Sequence, residues 1–240
     1  MNTILFDLDG TLLPMDVEHF VKIYFAELSN KCAKYGYEPK GLLDAVQKGT
    51  EAMRNNDGKE KNAARFWQEF SQVLGPDVLK LQPVLEKFYE EEFEHTKIGT
   101  YENPKAALLV KSLREKGYTL VLATNPVFPM TAHRTRLSWI GLTPEDFEYV
   151  TSYENSHFCK PNVSYYKEIL ENIGKHPQEC MMIGNDVQED SPAQKIGMQF
   201  YLVTDHLIDR KKEDLSNYTY GSFEEFCEFA EKDLLGAYEK

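Results

Sequence analysis

The stretch FDLDGT at positions 6–11 carries two carboxylates at a spacing that could do chemistry. A short apolar run precedes it, and Gly10 predicts a turn directly after the second carboxylate. Ligands of open α/β sheets bind outside the carboxyl ends of the strands, which makes Asp7 and Asp9 candidate catalytic residues. A polar strand end leading into an ordinary turn has the same local sequence, so the assignment depends on the other strand ends.

Two other positions offer groups that suit an anion. Thr124 and Asn125 follow an apolar run and precede a helical pattern, and the N–H groups of a helix N-terminus attract negative charge. Lys160 lies in a second turn before a helical pattern and would add positive charge. Taken singly, the hydroxyl and the amide could be helix caps, and the lysine could be a solvated surface charge.

Two more aspartates, Asp186 and Asp190, follow a fourth apolar run. In a parallel sheet these carboxylates converge with Asp7 and Asp9 in one crevice, where they repel one another unless a cation balances them. Mg²⁺ prefers oxygen ligands and usually retains water molecules. The sequence therefore predicts a Mg²⁺ site with the anion-binding groups on its far side, although Asp190 could also cap the helix that Pro192 begins.

The elements that position these groups alternate between strands and helices. Apolar runs predict strands at 3–9, 118–125, 147–152, 179–186 and 199–204, the third being the weakest. Helical patterns connect them at 103–116, 130–140, 163–173 and 192–196. Continuous apolar runs are typical of strands covered on both faces, and the alternation predicts a doubly wound, Rossmann-like α/β fold with a parallel sheet.

Residues 15–96 interrupt this alternation with helical patterns only, at 17–35, 40–54, 63–74 and 78–95. We therefore predict a discontinuous α/β core, residues 1–14 and 97–240, with an all-helical cap domain inserted at 15–96. A helical lid over the site would exclude water and admit only a small substrate. The candidates for contact with that substrate surround the central turn of the cap: Arg54, Asn55, Asn56 and Asn62.

The overall charge excludes some partners. The chain has 240 residues, with 27 Lys and Arg against 39 Asp and Glu, and a formal net charge of −12. No basic stripe is present, so neither nucleic acid nor an anionic membrane is expected as a partner. Part of the acidity belongs to the proposed metal site, and part to an acidic tail from residue 213 that ends in a helical pattern at 223–234.

Cysteine usage and hydropathy indicate the compartment. The four cysteines lie far apart, at positions 32, 159, 180 and 227, which fits neither a zinc site nor a dense disulfide framework. No apolar run approaches the roughly 20 residues that span a bilayer, and the first strand leaves no room for a signal peptide. We expect a cytoplasmic protein that is a monomer or a small homo-oligomer.

Four motifs follow one another along the chain: Asp7 with Asp9, Thr124 with Asn125, Lys160, and Asp186 with Asp190. Together with the inserted helices, they resemble the haloacid dehalogenase (HAD) superfamily, in its phosphatase branch with a helical (C1-type) cap, as in phosphoglycolate phosphatases. The resemblance covers essentially the whole chain. It implies that Asp7 is the nucleophile and Asp9 the general acid/base, and that Asp7, Asp9 and Asp186 bind the metal. It also implies that Asp190 orients metal-bound water or Lys160, and that the phosphate is bound by Thr124, Asn125 and Lys160.

The implied activity is a Mg²⁺-dependent phosphohydrolase that cleaves a small-molecule phosphomonoester through an aspartyl-phosphate on Asp7. A phosphoglucomutase-like phosphoryl transferase would share Asp9 and stays open as an alternative. A catalytically idle binding or regulatory protein with the same fold is a third. Dehalogenase activity is disfavoured because the resemblance implies Tyr in place of Asp9 in the dehalogenase branch. The transport ATPases of the superfamily would have Thr at this position.

Overall fold

A six-stranded parallel sheet forms the centre of the computed structural model, which describes residues 1–235. The strands are β1 (Thr3–Phe6), β2 (Thr119–Leu122), β3 (Tyr149–Val150), β4 (Cys180–Gly184), β5 (Gln199–Val203) and β6 (Thr219–Gly221). Their order is β3-β2-β1-β4-β5-β6, with β1 hydrogen-bonded to both β2 and β4. The order reverses beside β1, which is where such sheets open a crevice for ligands. The predicted fold class is confirmed.

Helices connect these strands and follow the last of them. They are α1 (Val17–Ala33), α2 (Pro39–Arg54), α3 (Asn62–Leu74), α4 (Gln82–Glu90), α5 (Pro104–Glu115), α6 (Met130–Ser138), α7 (Val163–Ile173), α8 (Val187–Asp190) and α9 (Phe223–Phe229). The main 3₁₀ turns are Pro76–Leu81, Glu92–Gly99 and Ser191–Ile196, and a π-helical turn, Ala230–Leu235, follows α9. The helix predicted at 223–234 is therefore present, with a change of helical type near its end.

Both faces of the central strands β1 and β4 are buried, as the continuous apolar runs predict. Successive strand residues point to opposite faces, so Leu5 packs into one apolar cluster with Val121 and Met182. Its neighbours Ile4 and Phe6 pack into a second cluster on the other face. Helical connections between parallel strands place helices on both sides, which leaves no polar face for β1.

Between β1 and β2 the chain contains only helices, and we call residues 17–99 the helical segment. Its two ends lie side by side: Asp16 N donates to Gly99 O at 2.9 Å, and Tyr101 N donates to Pro14 O at 2.8 Å. The chain thus leaves the sheet and returns at one place, as an insertion requires. The domain boundaries at 14/15 and 96/97 stay predictions.

Three details differ from the sequence prediction. The helix expected at 192–196 is a 3₁₀ turn, and it follows the short helix α8, which was not predicted; the side chain of Asp186 caps α8, and within the described part of the chain that of Asp190 caps no helix. The helix expected over 78–95 is divided into a 3₁₀ turn, α4 and a second 3₁₀ turn. Its first break has a clear cause, because Pro83 has no N–H to donate to the carbonyl of Leu79, four residues earlier. The edge strand β6 was also not predicted; it is only three residues long, two of them exposed, and gives no apolar run. Among the described residues, no helix is both long and apolar enough to cross a bilayer.

Candidate active site

Asp7 lies directly after β1, at the carboxyl edge of the sheet, and its N–H still donates to Ile183 O of β4 at 2.8 Å. The chain then turns sharply at Gly10, which has φ +84°. A Cβ at this glycine would stand 2.2 Å from Asn185 Nδ2, so only glycine fits between the two strand ends. This turn keeps Asp7 and Asp9 within one cavity, which both side chains line.

A buried lysine joins two of the predicted aspartates. Lys160 Nζ donates to Asp7 Oδ1 at 2.8 Å and to Asp190 Oδ1 at 2.7 Å, and Lys160 is only 2% exposed. Burial alone would lower the pKa of Lys160, but the charges of Asp190 and Asp7 together raise it well above its ordinary value. Burial raises the pKa of Asp7 to about 8, against the opposing charge of Lys160. The lysine therefore stays charged and is held against Asp7.

Asp186 occupies the tip of β4 and begins α8. Its Oδ1 accepts the N–H groups of Gln188 and Glu189, both at 3.0 Å, as a helix N-cap does. Arg210, in the loop after β5, donates to the same carboxylate at 2.9 Å and 2.7 Å. Burial raises the pKa of Asp186. Asp190 lies one helical turn further on, where its Oδ2 accepts from Asp186 N at 3.0 Å.

A buried arginine that the sequence analysis did not identify holds Asp9. Arg136 of α6 is 0% exposed, and its Nη1 donates to Asp9 Oδ2. Its Nη2 lies 2.7 Å from His133 Nδ1, and its guanidinium carbon lies 4.7 Å from the centre of the Phe128 ring. Burial and the nearby guanidinium lower the pKa of His133 well below its ordinary value, so a neutral imidazole accepts from Arg136.

The second oxygen of the Asp9 carboxylate is left free. Asp9 Oδ1 is buried and has no hydrogen-bond partner within residues 1–235. One oxygen is thus fixed by Arg136, while the other has its lone pairs available inside the cavity that Asp9 lines. A carboxyl group in this arrangement can exchange a proton with a bound molecule without moving.

The two residues after β2 also line the cavity. Thr124 is 3% exposed, and its carbonyl accepts from Thr151 Oγ1 at 2.6 Å and from Tyr165 OH at 2.9 Å, which fixes this part of the chain. Asn125 Nδ2 donates to Glu189 Oε2 at 2.9 Å, and Asn125 Oδ1 is a buried atom for which the described residues provide no partner.

The four residues predicted to touch substrate from the helical segment lie in different environments. Arg54, at the end of α2, lines the cavity and donates to Glu189 Oε1 at 3.1 Å. Asn55 is exposed and does not line it. Asn56 Nδ2 donates to Asn62 Oδ1 at 2.9 Å, and Asn62 Nδ2 donates to Pro126 O at 3.3 Å. Asn62 thus connects the helical segment to the loop after β2, and Asn56 holds Asn62 in place. Arg54 is the one of the four that lines the catalytic cavity.

The cavity has a volume of about 220 Å³ and is strongly polar on one side. Its charged lining comprises five carboxylates and three cations: Asp7, Asp9, Asp186, Glu189, Asp190, Arg54, Lys160 and Arg210. The lining carboxylates outnumber the lining cations by two, or by one when the buried Arg136 that holds Asp9 is counted, and a divalent cation would offset this negative charge. The other side is apolar and includes Phe20, Val21 and Phe128.

The oxygen atoms that line the cavity suit Mg²⁺, but the described side chains alone do not form a complete set of metal ligands. Within residues 1–235, no group of three or more His, Cys, Asp or Glu side chains is arranged to hold a metal ion. Mg²⁺ commonly takes one or two carboxylates and completes its shell with water and phosphate oxygens. Asp7 and Asp186 line the same cavity with their carboxylates, and Asp9, which also lines it, would add its main-chain carbonyl.

Two curated relatives carry the same name. A glyceraldehyde 3-phosphate phosphatase of Methanocaldococcus jannaschii is 26% identical over 234 residues, which cover 94% of this chain and 95% of that protein. A glyceraldehyde 3-phosphate phosphatase of Methanothermobacter thermautotrophicus is 32% identical over 124 residues. That second match spans 48% of this chain and about half, 54%, of the relative.

Solved structures share the whole fold. A HAD phosphatase from Thermococcus onnurineus has a TM-score of 0.60 at 20% identity and covers 95% of this chain and 97% of its own. A 2-haloacid dehalogenase from Pseudomonas syringae has a TM-score of 0.64 at 17% identity, covering 97% and 99%. A HAD hydrolase from Bacillus subtilis, solved with magnesium bound, has a TM-score of 0.56 at 19% identity, covering 95% and 97%.

The family model for haloacid dehalogenase-like hydrolases matches residues 1–196, which contain every predicted catalytic, phosphate-binding and metal-binding residue. The resemblance drawn from the four motifs is thereby confirmed. The chain belongs to the haloacid dehalogenase-like hydrolase family.

Proposed function

We propose that this hydrolase cleaves a small-molecule phosphomonoester through an aspartyl-phosphate on Asp7. The observation that carries the proposal is the buried Lys160 ammonium, 2.8 Å from Asp7 Oδ1 and 2.7 Å from Asp190 Oδ1 at the carboxyl edge of the sheet. A carboxylate that attacks an anionic phosphate needs positive charge beside it, and this lysine supplies it. The name of both curated relatives also supports a phosphomonoester.

Asp7 and Asp9 divide the reaction between them. An Asp7 carboxylate oxygen forms the new bond to phosphorus while the bond from phosphorus to the ester oxygen breaks. Asp9, held by Arg136 through one oxygen, gives a proton to the departing alkoxide from the other. In the second half, Asp9 takes a proton from a water molecule that attacks phosphorus, which releases inorganic phosphate and restores Asp7.

The residues that would hold Mg²⁺ are Asp7 and Asp186 through their carboxylates and Asp9 through its main-chain carbonyl. When bound, the ion supplies positive charge that offsets the negative charge of the phosphoryl oxygens. Asp190 Oδ1 accepts a hydrogen bond from Lys160 Nζ, and Asp190 thereby fixes the ammonium beside Asp7. Thr124 and Asn125 would bind the phosphate from the β2 side of the cavity.

The helical segment acts as the cap in this proposal, corresponding to the predicted domain 15–96 over a core of 1–14 and 97–240. Its Arg54 reaches Glu189 across the cavity, so it lies where it could contact the ester as well. The size of the cavity, about 220 Å³, supports a small phosphorylated metabolite as substrate. A cytoplasmic location and a monomer or small homo-oligomer stay predictions.

Phosphate release tests the activity directly. With Mg²⁺ present, the purified protein is expected to release phosphate from p-nitrophenyl phosphate, to lose that activity in EDTA and to regain it when Mg²⁺ is restored. Turnover that is insensitive to EDTA would contradict the metal assignment. A mutase would instead isomerise a sugar phosphate without net phosphate release, and a dehalogenase would release halide from a haloacid and no phosphate from the ester.

Arg136 is a positioning residue whose role can be separated from general stability. Arg136→Met removes the guanidinium that fixes Asp9, and kcat/KM for an alkyl phosphate is expected to fall by about 10²–10³. For p-nitrophenyl phosphate, whose leaving group needs little protonation, we expect a loss of only a few fold. Arg134→Met is the matched control, because Arg134 is exposed on the same helix and pairs with Glu145. An equal loss with both esters would mean that Arg136 does not act through Asp9.

A further inference from the structure

A second cavity, of about 360 Å³, lies between the helical segment and the loops that follow β2 and β3. Helices α1, α2, α3 and α4 all contribute to its walls. Its surface is dominated by aromatic and aliphatic side chains, among them Phe25, Phe66, Trp67, Phe70 and Leu85. A cavity of this size and character is typical of a binding site for an apolar group.

The second cavity adjoins the catalytic one. Val21 of α1 lines both, as do Val127 and Phe128 in the loop after β2. The Phe128 ring lies under the guanidinium of Arg136, which holds Asp9. The apolar cavity therefore adjoins the part of the catalytic cavity that holds Asp9, and the carbon skeleton of a leaving group whose phosphate is at Asp7 can extend toward it.

Polar groups are a minority in the lining of the second cavity. They belong to Tyr24, Thr50, Trp67, Gln82, Glu86, Tyr89 and Tyr153. The hydroxyls of Tyr24 and Tyr89 lie 2.9 Å apart and hydrogen-bond to each other. Gln82 and Glu86 are exposed on α4, so they are already hydrated. A polyol that entered would exchange its water for few partners, chiefly the hydroxyls of Thr50 and Tyr153, and each buried hydroxyl left unpaired costs free energy.

We propose that the substrate is a phosphomonoester of an apolar alcohol, with an aromatic or alkyl group that fills the second cavity. The inference rests on the proposed phosphatase function and adds the class of leaving group. It differs from what the name of the curated relatives suggests, because glyceraldehyde 3-phosphate has a short and polar carbon skeleton.

A series of primary alkyl phosphates tests the inference while the chemistry stays constant. From ethyl to hexyl phosphate the leaving-group pKa barely changes, so any trend reports binding of the chain. We expect kcat/KM to rise about fourfold for each methylene that enters the cavity, and propyl phosphate to exceed glycerol 3-phosphate by about ten- to a hundredfold. A flat series, or a preference for glycerol 3-phosphate, would overturn the inference while leaving the phosphatase proposal intact.

A pair of variants on α3 locates the effect. Ala63 lines the second cavity, whereas its neighbour Ala64 is exposed and does not. Ala63→Phe is expected to lower the ratio of kcat/KM for hexyl phosphate to that for ethyl phosphate at least tenfold, and Ala64→Phe to leave this ratio unchanged. An unchanged ratio in Ala63→Phe would contradict this assignment of the cavity. Failure to release phosphate from any ester, aryl or alkyl, would overturn the phosphatase proposal together with this one.

Discussion

Replacing Asp7 by Asn is expected to reduce phosphate release by at least about 10⁴-fold, because the amide oxygen cannot form the aspartyl-phosphate. The Asn side chain has the same shape as Asp. In the wild type, Lys160 Nζ lies 2.8 Å from Asp7 Oδ1, and the amide oxygen of Asn can still accept this hydrogen bond. The loss should therefore appear in kcat, since the groups that bind the phosphate remain in place. A phosphate-release assay with saturating ester measures it.

The same variant should not be destabilised. Folding raises the pKa of Asp7 to about 8, chiefly through burial, so at neutral pH folding requires Asp7 to take up a proton. That proton uptake costs stability, and a neutral amide does not require it. The thermal midpoint of Asp7→Asn is expected to equal or exceed that of the wild type in metal-free buffer. Asp44→Asn, an exposed carboxylate of α2 paired with Lys48, is the control and should change neither activity nor midpoint. Wild-type activity in Asp7→Asn would contradict the role of Asp7.

Replacing Lys160 by Met is expected to impair both stability and activity. The variant leaves the carboxylates of Asp7 and Asp190 buried without their shared cation, which costs about 3–5 kcal/mol. For a chain of this length that corresponds to a fall of roughly 6–20 °C in the thermal midpoint. Any protein that remains folded should lose about 10²–10³ in kcat/KM, because the charge beside the phosphoryl group is gone. Thermal unfolding and phosphate release measure the two effects.

Two further variants test whether the effect of Lys160 comes from its buried ion pair with Asp190. Lys167→Met removes an exposed lysine of α7 and should leave stability and activity unchanged. The double variant Lys160→Met/Asp190→Asn removes the buried cation and one of its carboxylates together, so its loss of stability should be smaller than the sum of the two single losses. Additive losses would show that Lys160 and Asp190 do not stabilise each other.

The sequence predicted the sheet well because its strands carry the strongest local signal. A strand buried on both faces must be apolar throughout, and four of the five predicted runs met this condition. The weakest run, at 147–152, contains only the two-residue β3, and the edge strand β6 was not predicted. The alternation of strands and helices then predicts a parallel sheet, because neighbouring parallel strands need a crossover connection, usually a helix. The helix predicted over 78–95 was wrong in detail, because periodicity does not reveal where Pro83 interrupts the backbone hydrogen bonds.

The candidate site was predicted only as far as strand ends could reveal it. Asp7 and Lys160 are 153 residues apart in the chain, yet both follow predicted strands and meet in one cavity. The helical pattern around Arg136 could have identified this residue. Arg136 shares the buried side of α6 with Ala132 and Leu137, where a charged side chain needs a partner. Arg210, in the long loop after β5, had no pattern that could identify it.

The role of Asp7 can be tested most directly by trapping the covalent intermediate. Borohydride reduces an aspartyl-phosphate to homoserine and leaves free carboxylates intact, so the protein is mixed with Mg²⁺ and p-nitrophenyl phosphate, quenched with borohydride, and digested for peptide mass spectrometry. We predict homoserine at position 7, and unmodified aspartate there when the ester is omitted. An unmodified Asp7 in protein that releases phosphate, or homoserine at another aspartate, would contradict the account.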